Sequence, residues 1–300
     1  MRVLFVGDIF AEAGRICVRD LVPGLREAHA VDLVIANGEN ATRGMGIGAR
    51  HAKQVLSWGV DAMTLGNHSF RQRDLLPMLA TDDRIIRPAN FAAKAPGKGI
   101  MFVTVTLGEG ADATEHEVAV INIQGSLFIE TPSGPFEIID SLIEQARART
   151  PIVLVDMHAE ATSEKIAMAH YVDGRVSALV GTHTHVQTSD ARVLPKGTAY
   201  QTDLGMTGPH DSVIGVRAEI IIKRFTTGIG ERFEPAHGGA QLEGALIDID
   251  EATGLATAIK AIRVPLPPER ISGHRLDGAA SGDRSVVSSR SPAAGARLRA

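Results

Sequence analysis

The chain has 300 residues, of which 44% are hydrophobic and 22% are charged, and its formal net charge is −4 at pH 7. A globular chain of this size buries roughly three quarters of its unfolded surface, so it needs neither disulfides nor structural metals to form a core. The negative charge argues against stable binding of duplex nucleic acid, and no apolar run approaches the roughly 18 residues of a membrane helix. A single cysteine, Cys17, and an N-terminus without a secretory pattern predict a protein of the reducing cytoplasm.

Apolar strands alternate with amphipathic helices through the first two thirds of the chain. The predicted strands of this part span residues 2–6, 33–36, 62–65, 152–155 and 176–180. The predicted helices span residues 14–29, 49–58, 136–149 and 164–171. Pro23-Gly24 is expected to interrupt the first helix, because proline removes a backbone donor. A hairpin-like pair of strands, 101–107 and 117–123, precedes the third helix.

The last third of the chain is rich in predicted strands. They span residues 192–194, 198–201, 219–225, 242–249 and 256–264. This order of elements predicts a layered α/β body with two sheets over residues 1–268. Residues 269–300 are predicted to be a disordered tail, because arginine, serine and alanine dominate them and no aromatic residue is present to be buried.

Side chains suited to metal binding follow five separate predicted strands. They are Asp8, Glu39 with Asn40, Asn67 with His68, His158, and His183 with His185. The carboxyl ends of strands in open α/β sheets form the crevice in which ligands bind. Oxygen and nitrogen donors of these types suit Fe²⁺, Mn²⁺ or Zn²⁺, and the lack of a cysteine cluster argues against a thiolate site. So many candidates favour two metal ions over the alternative, a polar network that caps the sheets.

Three glycine-containing segments lie beside these candidates. In His183-Thr184-His185, an extended backbone would point both imidazoles into one cavity, and Gly181 would let the backbone come close to it. Residues 44–48 lack the Lys-Ser/Thr of a phosphate-binding loop and are expected to form a flexible loop near the site. Residues 205–209 are expected to form either a rim or lid of the site or an ordinary turn.

Several motifs resemble those of the calcineurin-like metallophosphoesterases. They are Gly7-Asp8, Gly66-Asn67-His68 and Gly181-Thr182-His183-Thr184-His185. The strings at 6–9, 37–41, 156–165 and 202–209 narrow the resemblance to the YmdB-like branch, the bacterial 2′,3′-cyclic-nucleotide 2′-phosphodiesterases. The resemblance covers residues 1–265 and implies an α/β-β/α sandwich with two mixed sheets flanked by helices.

The chain departs from the broad superfamily at two ligand positions. Phe10 stands where the superfamily usually has a histidine, and Glu39 stands where it has a bridging aspartate. Asn40 offers a replacement oxygen donor beside Glu39. The narrow branch shares these changes, so they favour it over a generic phosphatase.

The resemblance implies a ligand set for two divalent transition-metal ions, iron or alternatively manganese. Asp8, Glu39, Asn40 and His185 would hold the first ion. Glu39, Asn67, His158 and His183 would hold the second, so that Glu39 bridges the two. Asp156 is expected either to fix the tautomer of His158 or to cap the sheet end.

The implied reaction is hydrolysis of 2′,3′-cyclic nucleotides and other small phosphodiesters by a hydroxide that bridges the two metals. His68 is expected to act as the general acid, or alternatively only to hydrogen-bond a phosphate oxygen. One alternative function is a phosphomonoesterase or protein phosphatase on the same metal core. Another is a regulatory protein that senses a nucleotide and retains residual hydrolysis. The expected partner is a small nucleotide, with neither duplex nucleic acid nor a membrane involved.

Overall fold

The computed structural model describes residues 1–267, and the predicted tail at 269–300 lies outside the described residues. Its α-helices are α1 (Ala11–Ala28), α2 (Ala49–Ser57), α3 (Leu76–Thr81), α4 (Pro135–Arg147), α5 (Thr162–Val172) and α6 (Ala218–Thr227). Short 3₁₀ helices span Arg73–Leu75 and Gly110–Asp112. Across residues 1–267, no helix combines the length and the apolar character that crossing a membrane requires.

The strands form two sheets. They are β1 (Arg2–Val6), β2 (Asp8–Ile9), β3 (Leu33–Asn37), β4 (Ala62–Thr64), β5 (Ile85–Ile86), β6 (Ile100–Leu107), β7 (Thr114–Gln124), β8 (Ile152–His158), β9 (Ala178–Thr182), β10 (Arg192–Val193), β11 (Ala199–Gln201), β12 (Met206–Pro209), β13 (Ala240–Ile249) and β14 (Ala256–Pro265). The first sheet has the order β2-β12-β13-β1-β3-β4-β5, with β14 beside β13. The second has the order β10-β11-β9-β8-β7-β6.

Both sheets mix parallel and antiparallel pairs. In the first, β1, β3, β4 and β5 run parallel, whereas β13 is antiparallel to β1. In the second, β7, β8, β9 and β11 run parallel, and β6 pairs with β7 as the predicted antiparallel hairpin. The predicted class, an α/β fold with two mixed sheets flanked by helices, is confirmed.

The alternation of side chains along the strands explains the layers. On β1, Val3 and Phe5 enter the core between the two sheets, while Leu4 and Val6 enter the core beneath α1 and α2. A third apolar core lies between the second sheet and helices α4 and α5. Four layers therefore stack as helices, sheet, sheet and helices.

The strand predicted at 219–225 is wrong, because these residues belong to α6. Ile220 and Ile221 are buried against the cluster around Phe10 and Met206, while the next residue, Ile222, is exposed. Burial of two adjacent side chains on one side suits a helix, and a short isoleucine run does not by itself distinguish the two structures. Gly228 then ends the helix in the left-handed conformation.

The interruption predicted at Pro23-Gly24 is also absent, since α1 continues through Pro23 to Ala28. Pro23 and Gly24 lie on the exposed side of the helix, whereas Val22 and Leu25 are buried in the core. Burying these two side chains offsets the hydrogen bond that proline removes.

The rim, lid or turn predicted at 205–209 is likewise wrong. Met206–Pro209 forms the buried strand β12, which pairs with β2 on one side and β13 on the other. This segment is therefore part of the sheet that carries Asp8.

Candidate metal centre

The predicted ligands come from strand ends in both sheets. In the first sheet, Asp8 lies on β2, Glu39 follows β3 and Asn67 follows β4. In the second, His158 is the last residue of β8 and His183 follows β9. The structure brings these side chains together where the carboxyl ends of the two sheets face each other.

One group of donors surrounds the imidazole of His158. Its Nε2 atom lies 3.1 Å from Glu39 Oε1, 3.0 Å from Asn67 Oδ1 and 3.1 Å from His183 Nδ1. Ligand atoms of Glu39, His158 and His183 all lie within 4.8 Å of one another. This group could hold a metal ion.

A second group contains the other three candidates. His185 Nε2 lies 3.1 Å from Asn40 Nδ2 and 3.8 Å from Asp8 Oδ1. Asn40 donates from the same amide nitrogen to Glu39 Oε1 at 3.0 Å, which joins the two groups. Glu39 therefore lies between the two groups and contacts both.

The orientation of Asn40 differs from that of a metal ligand. Its amide nitrogen faces His185 and Glu39, and its Oδ1 accepts a hydrogen bond from His68 Nδ1 at 2.8 Å. An oxygen ligand requires the opposite orientation, which a half-turn of the amide supplies without moving the backbone.

Two observations show that the interior of this cluster suits a cation. Asp8 Oδ1 is buried and accepts no hydrogen bond from residues 1–267. A Cβ atom at Gly66 would come within 2.3 Å of both Glu39 Oε2 and His158 Nε2, so only glycine leaves the space open. Carboxylate, amide and imidazole donors around such a space fit divalent transition metals.

The charges of the cluster also favour a bound cation. Burial raises the pKa of Asp8 to about 6, although His185 and His158 oppose the shift. Burial also disfavours the charge of Glu39, but His158 and His68 together outweigh burial and hold the pKa of Glu39 below its usual range. Burial would lower the pKa of His158, yet Glu39 and Asp8 raise it to about 9. The two carboxylates thus favour a positive charge at the centre of the cluster.

Asp156 acts on His158 through an intermediate hydroxyl. His158 Nδ1 donates to Thr182 Oγ1 at 2.9 Å, and that hydroxyl donates to Asp156 Oδ1 at 2.7 Å. Asp156 also accepts hydrogen bonds from Thr64 and Asn37. These hydrogen bonds direct the Nδ1 proton to Thr182 and leave Nε2 facing the cluster, as a metal-ligating histidine requires. Asp156 therefore orients His158 through the Thr182 hydroxyl and not by direct contact. The sequence analysis did not predict the part played by Thr182.

The two histidines after β9 reach the cluster by a tight turn, so the predicted extended backbone is wrong. His183 and His185 have φ angles of 101° and 64°, in the left-handed region. Their second ring nitrogens are also held: His183 Nε2 lies 3.1 Å from Glu160 Oε2, and His185 Nδ1 donates to the carbonyl of Ile214 at 2.9 Å. Sequence reasoning missed both partners. Of the two, only Glu160 could have been suggested by the sequence, because it lies two positions after the candidate ligand His158.

A buried ion pair lies beneath this turn. Lys165 Nζ donates to the carbonyl of Thr182 at 2.8 Å and to Asp203 Oδ2 at 2.7 Å. The same carboxylate oxygen accepts the backbone N–H of Thr184 at 3.1 Å. The pair thus holds the residues on both sides of His183. Both residues lie in strings that carry the family resemblance, at 156–165 and 202–209, but no role had been predicted for either.

His68 lies at the edge of the cluster. Its backbone N–H donates to Glu39 Oε2 at 3.0 Å, and its side chain is 21% exposed. Burial lowers the pKa of His68, with the Glu39 carboxylate opposing that shift. With Nδ1 paired to Asn40, Nε2 is the atom available to a ligand.

The glycine-rich segment at 44–48 contacts the cluster indirectly. A Cβ atom at Gly44 would meet the ring of Phe10, whose edge packs against His185 with the ring centroids 5.5 Å apart. Thr42 N–H donates to the carbonyl of Gly46, and Thr42 Oγ1 accepts the N–H of Gly48. The segment is therefore a turn held by Thr42, and it reaches the cluster only through Phe10.

A cavity of about 690 Å³ adjoins the cluster at His183. Its lining residues are Phe128, Ile129, Glu160, Ala161, Thr162, Ser163 and His183. The cavity places an aromatic ring, two hydroxyl side chains and one candidate ligand around the same space.

The chain is similar to known proteins over nearly all of its described length. Residues 4–262 match the sequence profile of the family described as YmdB-like protein. A 2′,3′-cyclic-nucleotide 2′-phosphodiesterase of Bacillus subtilis is 46% identical over 264 residues, which make up 88% of this chain and 97% of that protein.

Two solved structures are also similar. A hypothetical protein from Thermus thermophilus has a TM-score of 0.80 and 41% identity, with 89% of this chain and 100% of that chain covered. A novel phosphatase from Mycoplasma pneumoniae has a TM-score of 0.79 and 34% identity, with 90% of this chain and 96% of that chain covered. The sandwich of two mixed sheets is therefore shared with a phosphatase.

Proposed function

Because this chain belongs to the YmdB-like protein family, we propose that it is a metal-dependent phosphodiesterase that opens 2′,3′-cyclic nucleotides. The observation that carries the proposal is the meeting of seven oxygen and nitrogen donors at one edge of the two sheets, with His68 beside them. The name and the 46% identity of the Bacillus subtilis relative support the choice of substrate.

The proposed cofactors are two divalent transition-metal ions, with iron favoured over manganese. Asp8, Asn40 and His185 would hold one ion, the group around His158 the other, and Glu39 would serve both. When bound, such a pair lowers the pKa of a water molecule and neutralises charge on a phosphoryl group. The mixed oxygen and nitrogen donors favour these metals over magnesium or calcium.

His68 is proposed to protonate the departing ribose oxygen. Hydrolysis adds water to phosphorus and breaks the P–O2′ bond, so the 2′ oxygen leaves with a negative charge and needs a proton. As the general acid, His68 would act in its imidazolium form, whose Nε2 proton passes to the 2′ oxygen and leaves a neutral ring. Such transfers contribute typically 10²–10⁴-fold to the rate.

Rates on two ester classes test this proposal. Protein reconstituted with Fe²⁺ or Mn²⁺ should turn over 2′,3′-cyclic AMP with a much higher kcat/KM than a phosphomonoester such as 4-nitrophenyl phosphate. The reverse preference would favour a phosphomonoesterase, and one of the structurally similar proteins is described as a phosphatase. Tight binding of the cyclic nucleotide without turnover would instead favour a nucleotide sensor.

A further inference from the structure

The cavity beside His183 contains an unusually placed aromatic ring. Phe128 is 89% exposed, whereas a phenylalanine that contributes to a core is buried. Its φ of 67° lies in the left-handed region. A side chain of this kind, exposed on a strained backbone, is characteristic of a binding site.

The backbone on both sides of Phe128 is anchored. The buried carboxylate of Glu164 accepts hydrogen bonds from Ser126 N–H and Oγ at 2.9 Å and from Leu127 N–H at 3.3 Å. Farther along, Gln124 Nε2 donates to the carbonyl of Glu130 at 3.0 Å. Because Glu164 belongs to the first turn of α5, these bonds tie the segment that carries Phe128 to the helix that lines the same cavity.

We propose that this cavity binds the nucleobase of the substrate, with the face of the Phe128 ring as its stacking platform. The inference rests on the proposed function, because it assigns a place to the part of a nucleotide that the metal cluster does not contact. His183 lines the cavity and its Nδ1 faces the cluster, so the cavity lies directly beside the proposed metal site, where the base of a bound nucleotide is needed.

The size and chemistry of the cavity fit a base. A volume of about 690 Å³ lies within the range of small-molecule sites and admits a base with its ribose. Thr162 and Ser163 add hydroxyl groups that can hydrogen-bond the edge of a base. Stacking on an aromatic ring accepts any base, since every base has a π face, so the cavity should select nucleotides without strong preference among them.

Substitution of Phe128 tests the inference, with Phe225→Ala as the matched control. Phe225 is 81% exposed, lies on α6 and does not line the cavity. Each protein, carrying its metals, is assayed with 2′,3′-cyclic AMP and with a base-free substrate, methyl ribofuranoside 2′,3′-cyclic phosphate. Binding of adenosine 3′-monophosphate is measured separately by calorimetry.

Phe128→Ala should weaken nucleotide binding by roughly 5- to 150-fold, seen as a higher KM for cyclic AMP and a higher Kd for adenosine 3′-monophosphate. The base-free substrate should be unaffected, Phe128→Trp should restore binding, and Phe225→Ala should behave as wild type. Equal losses on the two substrates, or no loss on either, would overturn the inference.

The binding measurement separates this inference from the proposed function. If the wild-type protein hydrolyses neither cyclic ester, the proposed function fails, while the Kd values of the variants still decide whether Phe128 holds a base. If cyclic AMP is hydrolysed and Phe128→Ala leaves the Kd unchanged, the base site fails alone.

Discussion

Replacing Lys165 by methionine tests whether the buried ion pair holds the histidine turn. The change keeps the length and the apolar stem of the side chain but removes the cation that pairs with Asp203 at 2.7 Å. The Asp203 carboxylate, 1% exposed, is then left charged in the interior, and the Thr182 carbonyl loses its donor.

The expected loss of stability follows from the burial of this ion pair. Removing one partner of a buried pair costs roughly 3–5 kcal/mol of unfolding free energy, which for a domain of this size lowers Tm by roughly 6–20 °C. Because the pair holds the backbone on both sides of His183, we also expect metal affinity to fall by about 10- to 100-fold, as for other groups that orient a metal ligand.

The assay compares thermal unfolding in a chelator with metal content after dialysis. Lys98→Met is the control, since Lys98 forms an ion pair with Asp83 at 2.6 Å in which both side chains are exposed. Such a pair contributes about 0–1 kcal/mol, so the control should keep its Tm and its metals. Adding Asp203→Asn to Lys165→Met should recover part of the stability, because no buried charge then remains unpaired.

Two results would refute the reasoning. One is a Tm loss for Lys165→Met no larger than that for Lys98→Met, which would mean that the pair is solvated in solution. The other is a large Tm loss with unchanged metal affinity, which would leave Lys165 a purely structural residue.

Four further predictions concern the cluster and its surroundings. Elemental analysis should find about two metal ions per chain, and Glu39→Gln should lose both because its carboxylate contacts both groups; loss of one ion only would contradict the shared role. His68→Ala should keep both ions but lose roughly 10²–10⁴ in kcat on cyclic AMP, with a clearly smaller loss on a nitrophenyl diester, and equal losses would make His68 a phosphate anchor. Metal affinity should fall as the pH drops below about 9, where His158 carries a proton that the metal must displace, and should fall more steeply below about 6, where Asp8 takes up a second proton; an unchanged slope through pH 6 would argue against Asp8 as a ligand. Burial raises the pKa of Cys17 to about 12, so iodoacetamide should label this thiol only after unfolding, and labelling of the native protein would show that α1 opens.

The sequence allowed the positions of the candidate ligands to be predicted, because strands and their polar ends are local features. Asp8, Glu39 and His158 each follow an apolar run, and a layered α/β fold brings such ends to one edge. What the sequence could not provide was the contacts that depend on the packed structure. The link from Asp156 to His158 through Thr182 joins two strands of the second sheet and has no sequence spacing of its own.

The predictions from the sequence were wrong where a local conformational preference competed with the packing of buried residues. Pro23 would end an isolated helix, but its neighbours are buried, so α1 continues. The isoleucines at 220–222 favour a strand by composition, but the packing around Phe10 selects a helix. The turn at His183 requires positive φ angles, which are uncommon for every residue other than glycine, and the buried bonds from Lys165 and Asp203 accompany it.

The pairing of β1 with β13 sets a time order for the formation of the cluster. Arg2–Val6 lies between β3 and a strand at Ala240–Ile249, which is synthesised much later. The neighbouring β2, which carries Asp8, pairs with Met206–Pro209 and so also waits for late-made chain. His183 and His185 likewise emerge long after Asp8 and Glu39. The sheet that carries Asp8 is thus completed only after Ala240–Ile249 has been synthesised, so we expect the candidate metal site to take its final form late in synthesis.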